Sequence, residues 1–153
     1  MTTHRRGLLR GAFASVGALF ALSAAKAEAQ TSAPVPDKHK VAYHLADLDK
    51  VSFVLNNIQN HFDGMGGPDK VTIALVVHGP ALKAFHAASA SPDTTKRVAG
   101  FSRAGVQLNV CGNTMKAQNV TAKDLLPGFV AVDQGGVVRL AELQSQGYAY
   151  LRP

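Results

Sequence analysis

The chain has 153 residues, sixteen Lys+Arg against ten Asp+Glu for a formal net charge of +6, and a single cysteine. One cysteine excludes an intramolecular disulfide framework, and a length of this order suits one domain with its own core. The charge is partly local: residues 1–29 hold four of the bases (Arg5, Arg6, Arg10, Lys26) and one acid (Glu28), leaving twelve bases and nine acids, a net +3. What remains is scattered, and its densest basic stretch, residues 96–103, reads as a solvated helix face. Nucleic acid is therefore not an expected partner.

In chain order, His4-Arg5-Arg6-Gly7-Leu8-Leu9-Arg10 follows a twin-arginine export pattern, and residues 11–25 continue uncharged and apolar. That stretch is shorter than the ~20 apolar residues of a membrane span. Two small-x-small sites allow cleavage after Ala27 or Ala29, the latter being preferred. The expectation is a signal peptide over residues 1–29, a periplasmic product, and no membrane-integral segment after cleavage. Residues 30–39, with Pro34 and Pro36, read as a flexible linker. Residues 40–153 then form the domain. Twin-arginine export carries folded cargo, which leaves a metal or cofactor open; the sequence itself calls for no cofactor.

Within the domain, residues 40–44 suggest a short strand. Val51, Val54, Leu55, Ile58 and Phe62 recur at helical spacing, with Asp47 as N-cap and Gly64 to Gly67 as the stop. Residues 71–77 are β-branched and apolar on both faces, as a central parallel strand requires. Gly79-Pro80 opens a short helix carrying Leu82 and Phe85, and Ser91-Pro92-Asp93 starts another that ends at Gly105. Residues 106–111 predict a third strand. Thr121 and Asp124 suggest a capping box, residues 129–132 a fourth strand, 137–143 a helix ending at Gly147, and 148–151 a fifth strand. Alternating strands and helices predict an α/β fold: three layers, α/β/α, around a mainly parallel sheet of about five strands.

In open parallel sheets, ligands bind beyond the carboxyl ends of the strands. The first predicted strand ends at His44, the second at His78 and the third at Cys111, so three chemically capable residues share one rim. Gly79, Gly112, Asn113 and Thr114 follow two of them and suit close approach of backbone N–H groups to an anion. A lone cysteine in an oxidising compartment is a buried apolar residue, an intermolecular bridge, a metal ligand or a reactive thiol. If Asn113 or Thr114 caps a helix, its N–H groups would stabilise a thiolate. His78 is then the natural acid/base partner, and His44 matters less. Imidazole plus thiolate also suits zinc or copper, which makes His44, His78 and Cys111 the alternative, metal-binding reading. Alternation along the third strand places Gln107, Asn109 and Cys111 on one face; the two amides belong to a subunit contact or line the site.

Four segments carry a family resemblance: Val77-His-Gly-Pro-Ala-Leu82, Gly105-Val-Gln-Leu-Asn-Val-Cys-Gly-Asn-Thr-Met115, Asp124-Leu-Leu-Pro-Gly128 and Leu143-Gln-Ser-Gln-Gly-Tyr-Ala-Tyr-Leu-Arg-Pro153. Together they resemble the DsrE/DsrF-like proteins, in an exported branch. The resemblance implies α/β subunits assembled as trimers or hexamers and a persulfide held on a cysteine after the third strand, where Cys111 stands. Here that cysteine is followed by Gly-Asn-Thr-Met and the chain carries an export signal, so a direct cytoplasmic role in transfer-RNA thiolation is excluded. The sulfur donor and acceptor are left unassigned.

Three functions follow as expectations. The first is a periplasmic sulfur carrier or sulfurtransferase-like protein with a solvent-reachable Cys111 as acceptor thiol. The second is a metal- or small-ligand-binding module, and the third a non-catalytic oligomeric accessory protein with a buried cysteine. A homo-oligomer is expected in each case.

Overall fold

The computed structural model describes residues 38–153; the export signal and nearly all of the linker lie outside the described residues. Five strands, β1 (His39–Leu45), β2 (Val71–Val77), β3 (Gln107–Cys111), β4 (Phe129–Val132) and β5 (Ala149–Leu151), form one sheet. Every pairing is parallel, in the order β4-β3-β2-β1-β5. Four helices accompany them: α1 (Val51–Met65), α2 (Pro92–Arg103), α3 (Gly112–Ala117) and α4 (Gly136–Ser145). The α/β fold expected from the sequence is present, with the sheet wholly rather than mainly parallel.

Local chemistry accounts for most element ends. The Ser91 hydroxyl accepts from the Thr94 N–H at 3.1 Å, Pro92 stands in the first turn, and Asp93 pairs with Arg97 one turn on at 2.8 Å. Asp124 accepts from the Thr121 N–H at 2.8 Å, closing the expected capping box around a single 3-10 turn, Ala122–Asp124. One expectation is corrected. Asp47 does not cap α1, because a 3-10 turn over Leu48–Lys50 intervenes and moves the helix start to Val51. Its carboxylate instead meets the Arg152 guanidinium at 3.3 Å, near the end of the chain.

Strand order explains how the helices divide. The chain steps from β1 to β2, β3 and β4 in one direction across the sheet, then returns past all of them to place β5 beside β1. Parallel crossovers are right-handed, so three steps in one direction put their helices on one face, and the reversed step puts α4 on the other. The buried residues sort accordingly. Val41, Tyr43, Leu45, Ile73, Leu75, Val77, Leu108 and Val110 pack with Val54, Leu55, Ile58, Phe85, Phe101 and Met115 in a large core. On the other face, Ala42, Ala74, Val76, Leu140, Leu143 and Tyr148 make a small one. Each fully buried aliphatic or aromatic side chain contributes roughly 1.5–3 kcal/mol, so most of the stabilisation comes from the first face. Among the described residues, no helix is long and apolar enough to cross a membrane.

Candidate functional site

The three rim residues of the sequence reading are brought together on the α4 face. Parallel register pairs His44 with Val76, and Val77 with Val110, so the next residues, His78 and Cys111, stand side by side at the strand ends. Each lies two residues beyond a residue that faces α4, and period-two alternation gives all three that same face. Tyr150 on β5 joins them, since it pairs with Ala42. A row of four chemically capable side chains thus crosses β3, β2, β1 and β5.

Bonds within the row are specific. The Nε2 atoms of His44 and His78 meet in a hydrogen bond, the rings lying edge to edge with 4.6 Å between centroids and 24° between planes. The Tyr150 hydroxyl lies 2.6 Å from His44 Nδ1. Burial lowers the pKa of both imidazoles; for His44, with His78 and Arg152 adding to the effect, it falls to about 4. Both rings are neutral at pH 7.

Cys111 is polarised by other groups. Burial by itself raises a thiol's pKa, but here four hydrogen bonds outweigh it and bring the value below normal. They come from the Gly136 N–H, the Thr114 hydroxyl and the N–H groups of Thr114 and Asn113. The Thr114 oxygen in turn accepts from the Gly79 N–H at 3.0 Å, so its own proton is free for the sulfur. Gln118 Nε2 donates to the Gly79 carbonyl at 2.9 Å, and α3 thereby fixes the loop that follows His78. The expected group of anion-binding residues is accordingly divided. Asn113 and Thr114 serve the Cys111 sulfur itself, and Gly79 positions Thr114. Gly112 lets the backbones close up: a Cβ there would lie 3.0 Å from the Val132 carbonyl oxygen. His78 does not bond the thiol and is not what lowers its pKa.

Two glycines missed in the sequence reading cover the thiol. A Cβ on Gly136, the first residue of α4, would sit 3.3 Å from Cys111 Cβ and 3.5 Å from His78 Cβ. Its missing side chain lets the start of α4 close down over both residues, with Gly135 beside it. Cys111 is 7 % exposed, so the open thiol expected from the sequence is in this subunit a nearly covered one.

The amides of β3 find partners within the chain. Arg139 of α4 donates to Asn109 Oδ1 and Gln107 Oε1, both at 3.2 Å, and Gln107 Nε2 donates to the Tyr148 hydroxyl at 2.9 Å. They tie α4 to the sheet.

The metal reading is corrected. Among the described residues no three His, Cys, Asp or Glu side chains are grouped to hold a metal ion. The reason is orientation: the imidazoles turn toward each other and Tyr150, while the sulfur turns to backbone N–H groups.

The family model described as DsrE/DsrF-like matches residues 14–153. The chain belongs to the DsrE/DsrF-like family. That family is associated with sulfur relay. Among solved structures, a protein of unknown function, MTH1491 from Methanobacterium thermoautotrophicum, is similar with 26 % identity and a TM-score of 0.65, covering 76 % of this chain and all of its own. The ychN protein from E. coli is similar at 10 % identity and a TM-score of 0.53, over 76 % of this chain and 99 % of its own, which concerns the fold alone. Comparison with curated proteins gives no match.

Proposed function

We propose that the protein is a sulfur carrier, holding a sulfane sulfur as a persulfide on Cys111 and passing it to an acceptor outside the cytoplasm after twin-arginine export. The observation that carries this reading is a thiol whose pKa is lowered by four hydrogen bonds in a chain with no second cysteine. The same donors stabilise a persulfide anion. With no resolving cysteine, that persulfide cannot collapse into an intramolecular disulfide and persists until an external nucleophile attacks it. Export is supported by the Arg5-Arg6 segment, and sulfur handling by family membership.

The test is mass spectrometry of the Cys111 peptide after exposure to polysulfide or thiosulfate. A gain of one sulfur atom, removed by reductant and absent in Cys111→Ser, is expected; a thiol that reacts only after unfolding is a core residue and ends the carrier reading. Fractionation of cells expressing the full chain checks location, and replacing Arg5-Arg6 by lysines should retain the product in the cytoplasm.

The carrier reading includes a homo-oligomer, a trimer or hexamer, assembled near the rim. In its support, the α4 face is thinly covered: Val137 on α4 is 69 % exposed and Val130 on edge strand β4 is 64 % exposed. Light scattering that shows only monomer at micromolar concentration sinks this part.

A further inference from the structure

We propose that His78, His44 and Tyr150 form a proton-transfer row that protonates the leaving thiolate when Cys111 takes sulfur from an alkyl persulfide. This inference rests on the carrier reading. Its basis is continuity across four adjacent strands. Cys111 and His78 both pack against Gly136, His78 bonds His44 through their Nε2 atoms, and His44 Nδ1 meets the Tyr150 hydroxyl at 2.6 Å. Tyr150 stands on edge strand β5 and is 41 % exposed, so one end of the row reaches water, while the other ends at His78, next to Cys111 across Gly136.

Thiolate formation does not need this row, because backbone N–H groups and Thr114 already lower the Cys111 pKa. What the surroundings of the thiol otherwise lack is an acid. A neutral imidazole gives a proton from one nitrogen while accepting another at its second, so two in series pass a proton without either storing charge. The charged groups acting on the pair are Arg152, which disfavours its protonation, and Asp47, which favours it.

The step balances as follows. The Cys111 thiolate attacks the terminal sulfane sulfur of the donor, forming a new S–S bond as the donor's S–S bond breaks. The donor's remaining sulfur leaves as a thiolate with the electron pair and takes a proton from His78. His78 is refilled from His44, His44 from the Tyr150 hydroxyl, and the tyrosine from water. Sulfane sulfur moves with its oxidation state unchanged, so no oxidant or reductant is consumed. An alkyl thiolate is a basic leaving group and gains from this acid, whereas sulfite, released from thiosulfate, is less basic and departs more readily without it.

The experiment compares cysteine persulfide with thiosulfate as donors, and iodoacetamide alkylation as a reaction whose leaving group needs no proton, in the full chain and in Tyr150→Phe and His44→Gln. Expected is a ~10- to ~100-fold loss of loading from cysteine persulfide in both variants, with thiosulfate loading and alkylation unchanged. Equal slowing with all three reagents means a structural role and overturns the relay, as does no slowing with any. A solvent deuterium effect in the wild type, about twofold with cysteine persulfide and absent with thiosulfate, is the second readout should a variant not fold; its absence with both donors also overturns the relay. Wild-type protein that loads from neither donor while Cys111 alkylates normally overturns the carrier reading, a result distinct from every outcome above.

Discussion

The two faces of the sheet are built for different purposes. One carries α1, α2, α3 and the 3-10 segment Gly79–Phe85 over a continuous apolar core. The other carries α4 alone, a small apolar cluster, the Arg139 amide network and the row from Cys111 to Tyr150. Polar groups that need close partners are held where packing is thin, and the thick face holds the strands in register beneath them. Stability and chemistry can therefore be perturbed separately.

The largest expected separation comes from Phe85→Ala, which opens a cavity in the thick face where Phe85 is fully buried against Phe129. It should lower unfolding stability by about 3–5 kcal/mol in a denaturant titration, with Cys111 alkylation in the surviving native fraction unchanged. Coupled loss of thiol reactivity would mean the faces are not independent.

Gly136→Ala reverses that pattern. Its backbone suits alanine, a better helix former, so stability should stay within about 1 kcal/mol. The added methyl would lie 3.3 Å from Cys111 Cβ and 3.5 Å from His78 Cβ, crowding α4 against the strand ends that carry them. Sulfur loading should fall about tenfold or more, since displacing reacting atoms by a fraction of an ångström is costly. Loading at the wild-type rate would show that the thiol is reached by another route.

Thr114→Val removes the hydroxyl that polarises the sulfur, together with the acceptor of the Gly79 N–H. Losing the hydroxyl should raise the Cys111 pKa and slow alkylation at pH 7 roughly tenfold, the equivalent of one hydrogen bond to a charged group. Thr114→Ser should restore it. A wild-type rate in Thr114→Val would assign the activation to the backbone N–H groups only.

How much of this was legible in the sequence differs between the faces. Strands and helices of the thick face follow from apolar period, caps and glycine stops, so residues 71–77 and the Ser91 start read correctly. The rim set of His44, His78 and Cys111 was legible because strand ends mark where sites form. Tyr150 was not, because its contact with His44 joins residues 106 apart, and a pairing of β5 with β1 is set by topology rather than local pattern. Strand order hid that neighbour as well as the isolation of α4. Gly135-Gly136 was visible as a dipeptide, yet only tertiary packing places it over the thiol. The role given to His78 as the thiol's base failed for a similar reason: adjacency in sequence order does not fix which way a ring turns.

The smallest expected effect compares one histidine from each face across pH. His44, on the thin face, has its pKa lowered to about 4, and His61, bonded through Nδ1 to the Tyr43 hydroxyl at 3.0 Å beside the thick core, is also lowered. In both cases burial disfavours the charged ring. The unfolded chain binds these protons near pH 6.5 while the native chain does not, so stability is full above that pH and falls as pH drops toward 4. Each histidine that stays neutral contributes a slope of at most ~1.4 kcal/mol per pH unit, reduced where solvent reaches the ring. Above pH 5 the carboxylates add little, so stability measured between pH 6.5 and 5 isolates the histidines. His44→Gln should flatten that slope, and His61→Gln should flatten it less, since only His44 is pushed as far as about 4. An equal slope in wild type and His44→Gln would show that His44 takes up its proton in the native rim as readily as in the unfolded chain.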